Sequence, residues 1–333
     1  MNFSLIICTY NRDEAIATLM HSIAKQTVYP EQIIIVDASL NSKTNDFFEK
    51  NQFKNIEYYN VDGENRGLTK QRNFGIQKVV ATSEIVCFLD DDTILTANYF
   101  QELLDTYHKH PEALGVGGYI TNEVHWEKLE ANKVTDASYY VNDGYIRKED
   151  KRNVLRKRLG LGADKNPGFL PEFSHGRSVS YLPPTDKIYE VEQFMGGVSS
   201  FRKKVLDEHK FSTFFDGYGL YEDADFTFRI SRIGKLFVNT KAKLEHHHHP
   251  SGRPNQYNYG RMVVWNGWYV WRVRHPKPSF KAKVKWHLIT LLLAFIRLGN
   301  VISTPNKQAA FTEFIGRIAA YIKLFVKKPK IVS

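Results

Sequence analysis

Residues 85–92 read IVCFLDDD, an apolar run that ends in three consecutive aspartates. A short apolar run of this kind is typical of a strand that is covered on both faces. Helical patterns occur at residues 12–26 and 68–80, and similar strand-like runs precede the quoted one at residues 3–8, 33–36 and 56–60. This alternation predicts an α/β fold with a mostly parallel, Rossmann-like sheet and right-handed crossover connections.

Polar residues follow directly after three of the predicted strands. Thr9 and Tyr10 follow the first strand, Asp37 the second, and Asp90 begins the acidic run after the fourth. Ligands of such sheets bind beyond the carboxyl ends of the strands, so we expect these residues to converge at one edge. Asp37 could accept a hydrogen bond from a base or a ribose. The first turn reads CTYNR and lacks the GxGxxG pattern, which argues against a dinucleotide-binding Rossmann domain.

The net charge of +10 on 333 residues is distributed unevenly. Residues 250–333 contain 15 Lys and Arg against one acid, Glu313, whereas the preceding 249 residues contain 31 Lys and Arg against 35 acids. The body is therefore mildly acidic, and the basic C-terminal part needs a separate explanation. The 42% hydrophobic content excludes a disordered chain. Cys8 and Cys87 lie in core-like runs and are predicted to be free thiols of a reducing compartment.

Asp90, Asp91 and Asp92 form the first candidate site. Three adjacent carboxylates repel one another unless a cation is bound nearby. Their hard oxygen ligands suit Mg²⁺ or Mn²⁺, especially where the ion also binds phosphate. The alternative interpretation is a solvated acidic turn.

Glu222 and Asp223, followed by Asp225 and Arg229, form the second candidate site. A carboxylate close to a bound metal can act as a general base toward an alcohol. The alternative is the first turn of a helix, where acids are favoured and where Asp225 and Arg229 form an i,i+4 pair. The two interpretations are compatible if Asp223 faces the cleft.

Two further groups could contribute to binding. A run of four histidines follows a predicted strand at residues 236–244 and could complete a metal site, or it could be a solvated loop. The sequence does not tell which of them would point inward; they are His246, His247, His248 and His249. Cationic side chains in the glycine-punctuated segment 63–75 could contact phosphates or form a solvated helix face: Arg66, Lys70 and Arg72.

The C-terminal part contains two apolar helix candidates, at residues 286–302 and 311–325. Between His287 and Arg297 the uninterrupted apolar run has only nine residues, which is too short for a bilayer span of roughly 20 residues. Basic amphipathic helices with Trp and Phe suit the surface of an anionic membrane. The alternative is that these helices pack on the body of the protein.

Several of these motifs, taken in order, resemble those of family 2 glycosyltransferases of the bacterial surface-polysaccharide type, which have the GT-A fold. The matching stretches are TYNR at 9–12, Asp37, NRGLTKQRNFG at 65–75, FLDDD at 88–92, FMGGVSSFRKK at 194–204 and YEDADFTFR at 221–229. The resemblance implies a catalytic domain over residues 1–255, within which 119–190 would be a variable, irregular excursion on the acceptor side. Residues 256–333 would form a basic, helical C-terminal segment.

The resemblance also implies roles for single residues. Asp223 would be the catalytic base, and Asp92 and His246 would bind Mn²⁺ or Mg²⁺. The residues implied to bind the nucleotide sugar are Thr9, Tyr10, Arg12, Asp37, Arg72, Asp90, Asp91, Gly197 and Glu222.

The implied activity is inverting transfer of a sugar from a nucleotide-diphosphate sugar to a hydroxyl of a saccharide or lipid-linked acceptor. The place implied is the cytoplasmic face of the membrane, with the C-terminal segment as a peripheral anchor. A nucleotidyltransferase and a nucleic-acid-binding protein are the alternatives, and the acidic body disfavours nucleic acid. The sequence does not specify the donor sugar, the acceptor or the oligomeric state.

Overall fold

The computed structural model describes residues 1–130, 135–248 and 254–331. The chain folds into two compact units, of which the first comprises residues 1–124 and 184–252 and the second residues 125–183 and 253–333. The strands are β1 Phe3–Thr9, β2 Gln32–Asp37, β3 Ile56–Asn60, β4 Ile85–Asp90, β5 Thr93–Leu95, β6 Ala113–Ile120, β7 Glu127–Lys128, β8 Tyr139–Asn142, β9 Tyr145–Lys148, β10 Ile188–Val191, β11 Val198–Arg202 and β12 Lys235–His246. The α-helices are α1 Asp13–Ile23, α2 Lys43–Lys50, α3 Leu68–Lys78, α4 Tyr99–Lys109, α5 Lys151–Arg158, α6 Lys203–Glu208, α7 Glu222–Ile230, α8 Gln256–Arg274, α9 Phe280–Ser303 and α10 Lys307–Val326.

The first unit is built on one mixed sheet with the strand order β10-β12-β6-β11-β4-β1-β2-β3, and β5 pairs with β12. The predicted strands β1 to β4 are present and run parallel to one another. The side chains of β1, β2 and β4 are almost completely buried because helices cover the sheet, as the continuous apolar runs predicted, whereas those of the edge strand β3 are half-buried or exposed. The apolar face of α1 is buried in the same core.

Strand β11 runs antiparallel between β4 and β6. It therefore begins at the edge where β4 ends, and Val198 pairs with Leu89. This reversal brings Gly196 and Gly197, which precede β11, to the carboxyl end of β4. Residues that follow the parallel strands and residues that precede the antiparallel strand β11 thus meet at one edge of the sheet.

The second unit contains a small antiparallel sheet, β7-β9-β8, together with α5 and the three C-terminal helices. The sequence predicts an irregular excursion over 119–190, but these residues include strands and a helix. The elements are too short to give a clear periodicity, since β8 and β9 have four residues each. Glu149 is buried among them and pairs with Lys157 and Arg177.

The C-terminal helices pack on residues 125–183. Trp271 of α8 stacks on Trp286 of α9 at 5.0 Å, and the Trp271 Nε1 donates a hydrogen bond of 2.7 Å to the carbonyl oxygen of Glu172. Helices α8 and α10 approach closely at Gly260 and Gly316, where a Cβ would lie 2.2 and 2.1 Å from backbone oxygens of the other helix. A larger residue at either position would force the helices apart.

Helix α9 is longer than the sequence indicated. It spans 24 residues and has a mean hydropathy of 1.5 over its most apolar stretch, which is enough by length and composition to cross a membrane. The sequence predicts that this segment is too short to span a bilayer, because only nine residues lie between His287 and Arg297. That prediction is wrong about length, since the helix has 24 residues. Length and apolarity alone do not distinguish a spanning helix from one that lies on a surface.

Candidate active site

The acidic turn after β4 is buried at its middle residue. Asp91 accepts hydrogen bonds of 2.7 Å from Thr9 Oγ1 and 2.9 Å from Arg12 Nη1. Burial raises the pKa of Asp91 to about 6, and the nearby guanidinium of Arg12 opposes that rise. Arg12 Nη1 also lies 3.5 Å from Asp92 Oδ2. The hydrogen bonds of Asp91 to Thr9 and Arg12 therefore fix the turn, and with it the positions of Asp90 and Asp92.

Asp90, Asp92 and His246 come together at this edge of the sheet. Their ligand atoms all lie within 4.8 Å of one another, and His246 Nε2 lies 3.1 Å from Asp92 Oδ1. His246 is the last residue of β12 and pairs with Thr93 of β5. Burial lowers the pKa of His246, but hydrogen bonds to Asp92 and Glu123 outweigh that effect and raise it to about 10.

The histidine run divides between different surroundings. His246 is buried beside Asp92, whereas His247 Nε2 lies 3.0 Å from the exposed Glu245 and His248 Nε2 lies 2.8 Å from Glu123. His249 lies outside the described residues. Of the histidines described, His246 is the one whose ring meets the acids that follow β4.

Asn122 and Glu123 belong to the same site, and the sequence analysis missed them. Asn122 Nδ2 donates to the carbonyl oxygen of His246, and the His246 backbone N–H donates to Asn122 Oδ1, at 3.0 and 2.9 Å. Glu123 Oε1 lies 3.2 Å from His246 Nδ1. These residues follow β6, which pairs with β12, so the apolar run 113–120 was the signal that could have located them.

Glu222 and Asp223 are the first residues of α7. The residue before them, Tyr221, has a left-handed backbone conformation with a φ of 71°. Glu222 is buried, and its Oε1 lies 2.5 Å from Arg72 Nη1. Burial raises the pKa of Glu222 to about 8, although the guanidinium of Arg72 opposes this. Because Arg72 Nη2 also lies 3.5 Å from Asp90 Oδ1, one buried guanidinium links the two acidic groups.

Asp223 is held by backbone N–H groups. Its Oδ1 accepts a hydrogen bond of 2.7 Å from the N–H of Ala224, and its Oδ2 a long one of 3.4 Å from the N–H of Gly196. Burial raises the pKa of Asp223 above its ordinary value. Asp225 pairs with Arg229 at 2.9 Å, as predicted for the helix brace.

Gly196 and Gly197 pass so close to these acids that no side chain fits. A Cβ on Gly197 would lie 1.9 Å from Asp90 Oδ2, and a Cβ on Gly196 would lie 2.5 Å from Arg72 Nη1. Only glycine lets the backbone of this loop approach Arg72 and Asp90 so closely.

The residues expected to surround the nucleotide lie along the same sheet edge. Asp37 is buried, and its carboxylate accepts hydrogen bonds from Ser39 and Tyr58. Tyr10 is exposed, and the guanidinium of Arg66 lies 5.8 Å from its ring. Lys70, by contrast, extends to Asp216 at 3.2 Å. Of the residues predicted to contact the nucleotide, Asp37 is thus hydrogen-bonded within the protein, whereas the ring of Tyr10 is exposed.

The donor set fits a hard or borderline divalent cation. Asp90 and Asp92 offer carboxylate oxygens and His246 an imidazole nitrogen, a combination that suits Mn²⁺ or Mg²⁺. Three protein ligands also leave coordination positions open for phosphate oxygens. These three residues would therefore hold a metal; Glu123, His246 and His248 form a second group whose ligand atoms lie within 4.8 Å of one another.

Comparison with known proteins agrees with this geometry. Residues 4–166 match the family model described as glycosyl transferase family 2. A glucosyl-dolichyl phosphate glucuronosyltransferase of Haloferax volcanii is 31% identical over 127 residues, which cover 36% of this chain and 38% of that protein. The O-antigen chain rhamnosyltransferase RfbN of Salmonella typhimurium is 28% identical over 118 residues, which cover 35% and 37% of the two chains. The chain thus spans less than two-fifths of the length of these curated relatives.

The fold is also found among solved structures. The crystal structure of GalNAc-T7 with UDP, GalNAc and Mn²⁺ superimposes with a TM-score of 0.52 at 18% identity, covering 89% of this chain and 57% of that one. At this identity the likeness concerns the fold alone. The family match and the sequence relatives together lead to one conclusion: residues 4–166 of this chain match glycosyltransferase family 2.

Proposed function

We propose that this chain is an inverting, metal-dependent glycosyltransferase. It moves a sugar from a nucleotide-diphosphate sugar to a hydroxyl of a saccharide or lipid-linked acceptor in cell-surface polysaccharide synthesis. The family match over residues 4–166 supports the reaction class. The names of its relatives, which include an O-antigen rhamnosyltransferase and a poly(ribitol-phosphate) N-acetylglucosaminyltransferase of Staphylococcus aureus, support the polysaccharide setting.

The observation that carries the proposal is the link between two acidic groups through one buried arginine. Arg72 contacts Asp90 of the candidate metal triad on one side and Glu222, the neighbour of Asp223, on the other. A cation-binding group and a candidate base are thereby held in one rigid arrangement. Single displacement at an anomeric carbon needs both. The cation stabilises the negative charge on the leaving diphosphate while the base accepts the proton of the attacking hydroxyl.

In the proposed reaction, Asp223 accepts the proton of the acceptor hydroxyl. The hydroxyl oxygen forms a bond to the anomeric carbon on the face opposite the diphosphate, and the electron pair of the breaking bond leaves with the nucleoside diphosphate. The raised pKa of Asp223, caused by burial, makes its carboxylate a stronger base than an exposed aspartate. A divalent cation at Asp90, Asp92 and His246 would supply charge stabilisation to the departing diphosphate.

The other residues of the site would bind and position the donor. We assign this role to residues at the ends of β1, β2 and β4 and in the loops around them: Thr9, Tyr10, Arg12, Asp37, Arg72, Asp90, Asp91, Gly197 and Glu222. Of these, Tyr10 offers an open ring face for a nucleotide base, while Asp91 and Glu222 are already bonded within the protein and would act by holding their neighbours.

We further propose that the enzyme works on the cytoplasmic face of a membrane, attached peripherally through its C-terminal helices. The formal charge of +14 on residues 250–333 supports this placement, because anionic lipids attract basic segments. Nucleic acid is not proposed as a partner.

The reaction is tested with a panel of nucleotide sugars. Mn²⁺ should raise the melting temperature only with the nucleotide whose sugar is transferred, and Asp92→Ala should abolish that increase. Stabilisation by a nucleotide that is equal with and without Mn²⁺ would contradict the metal assignment. Incubation of the stabilising donor with lipid extracts then tests for the acceptor.

A further inference from the structure

The outward surfaces of α9 and α10 carry two apolar rows. Alternating spacings of four and three residues place each row on one side of its helix, and most of its side chains are exposed although they are Leu, Ile, Val or Phe. The α9 row comprises Val284, Leu288, Leu291, Phe295, Leu298 and Ile302. The α10 row comprises Phe311, Ile315, Ile318, Ile322 and Phe325.

The two rows lie on neighbouring helices. The ring of His287 stacks on that of Phe325 at 5.9 Å, and the rings of Phe295 and Phe314 lie 5.8 Å apart. Contiguous exposed apolar side chains on a folded protein are typical of an interaction site.

The charge around these rows is of one sign. Glu313 is the one acid in residues 254–331, and it is buried between Arg297 and Arg317 at 2.7 Å from each. The exposed charges of the segment are therefore lysines and arginines. A second copy of the chain would bring the same positive charge to the contact, whereas an anionic surface complements it.

The opposite side of α9 is occupied by the rest of the second unit. Ala282, Trp286 and Ile289 are buried against α8, α10 and residues 125–183. His287 Nδ1 also lies 2.9 Å from the hydroxyl of Tyr321. If α9 crossed a bilayer alone, it would lose these contacts and carry Arg297 into the hydrocarbon, which is costly.

We infer that α9 and α10 form an in-plane docking surface for anionic lipid, with both apolar rows inserted and neither helix spanning the bilayer. This rests on the proposed peripheral attachment and specifies its residues and orientation. It also explains why α9 has the length and apolarity of a spanning helix: one face is apolar for lipid and the other for the protein core.

The first test measures binding of the full chain to sealed vesicles of phosphatidylcholine with and without phosphatidylglycerol. Binding should require the anionic lipid and weaken with salt. Ile322→Ser should reduce the partition coefficient severalfold, whereas Ile233→Ser should leave it unchanged. The two isoleucines are a matched pair, because they are 59% and 58% exposed and Ile233 lies outside the rows. Equal binding by both variants would overturn the inference.

Charge is tested separately. Lys327→Glu and Lys328→Glu should each lower the partition coefficient about fivefold or more, since each basic residue near an anionic membrane contributes about a fivefold factor. Lys25→Glu, an exposed lysine of the first unit, serves as the control and should have no such effect. Point variants are preferred to deletion of the helices, because α9 and α10 bury part of the second unit's core.

The second test distinguishes in-plane from spanning geometry. Lys277→Cys and Lys307→Cys place thiols just before and just after α9, and the parent chain with Cys8 and Cys87 gives the background. After vesicle binding, an impermeant maleimide should label both new thiols. If one of the two thiols is protected from the maleimide until detergent is added, α9 spans the bilayer. If the chain does not bind vesicles and is a dimer in solution, the apolar rows contact a second copy of the chain. Both results overturn the inference.

These outcomes are separable from the catalytic proposal. Donor hydrolysis in solution should be the same for Ile322→Ser and the parent chain. Conversely, Asp223→Asn should bind anionic vesicles normally whatever its activity. Failure of lipid binding with intact transfer, or of transfer with intact lipid binding, identifies which proposal is wrong.

Discussion

The ring of His246 is held between two carboxylates: its Nε2 lies 3.1 Å from Asp92 and its Nδ1 lies 3.2 Å from Glu123. A histidine that binds metal through one nitrogen usually donates its other N–H to a carboxylate, which fixes the tautomer and the ring orientation. Glu123 stands in that position. His248 contacts the same Glu123 oxygen at 2.8 Å, so the carboxylate is itself held from two sides.

Glu123→Gln should therefore weaken Mn²⁺ binding about 10- to 100-fold, the usual effect of removing such a partner. Isothermal titration with Mn²⁺ in the presence of a nucleoside diphosphate measures it. Glu245→Gln is the matched control, because Glu245 also contacts a histidine, His247, but on the exposed side. The prediction fails if both variants bind Mn²⁺ with the same affinity as the parent chain.

Asp223→Asn should reduce transfer by about 10²- to 10⁴-fold, the contribution typical of a positioned general base. The amide keeps the shape of the side chain but cannot take a proton, so nucleotide binding should stay within a factor of two or so of the parent value. Turnover and nucleotide affinity are measured in parallel. Near-normal turnover would remove Asp223 as the base.

Arg72→Met should lower the free energy of unfolding by about 1–3 kcal/mol, because it leaves the buried carboxyl of Glu222 without its hydrogen-bond partner. The double variant Arg72→Met/Glu222→Leu should recover much of that loss, since no buried polar group of this pair is then left unpaired. Urea unfolding of the single and double variants gives the comparison. A double variant that is less stable than Arg72→Met would contradict this account of the pair.

Gly197→Ala should raise the Mn²⁺ concentration needed for half-maximal activity. The added Cβ would lie 1.9 Å from Asp90 Oδ2 and must displace that carboxylate. Gly63→Ala is the control, because no atom lies within 4 Å of a Cβ at that position. A normal Mn²⁺ requirement in Gly197→Ala would show that Asp90 does not take part in metal binding.

The second unit should become less stable as the pH falls below about 6.5. Burial, with Arg156 and Arg317 nearby, lowers the pKa of His175 to about 3. Between about pH 6.5 and pH 3 the unfolded chain binds a proton at this position that the folded chain does not, so folding stability decreases with decreasing pH, by at most about 1.4 kcal/mol per unit.

His175→Gln removes this titration and should flatten the pH dependence. Tryptophan fluorescence is the measurement, since all five tryptophans belong to the second unit. The prediction is refuted if parent and variant lose stability equally between pH 7 and pH 5.

The part of the fold that sequence could predict is the part with long apolar runs. Strands β1, β2 and β4 are each buried on both faces, so their runs are continuous, and the polar residues at their carboxyl ends could be located with them. The Glu222–Asp223 helix was recognised because acids in a first turn and the Asp225–Arg229 spacing are local signals.

What could not be predicted depends on contacts between distant segments. Glu123 becomes part of the site because β6 pairs with β12; the apolar run 113–120 could locate β6, but it does not identify β12 as its partner. Likewise, no local pattern around Arg72 indicates that it bridges Glu222 and Asp90. No pattern in residues 125–183 indicates that they pack against the C-terminal helices. The choice among the histidines needed the register of β12 with β5, which aims His246 at Asp92.

The insertion of β11 between β4 and β6 also sets the order in which the first unit can assemble during synthesis. One edge of β4 pairs with β1 early, but its other edge stays open until residues 198–202 have left the ribosome. Arg72 gains its partner Glu222 later still, because Glu222 is synthesised after β11. The nascent chain therefore carries an exposed strand edge while about 110 residues are added, and Arg72 lacks its Glu222 partner over a separation of 150 residues. An open strand edge of this kind is prone to pair with other chains until β11 covers it.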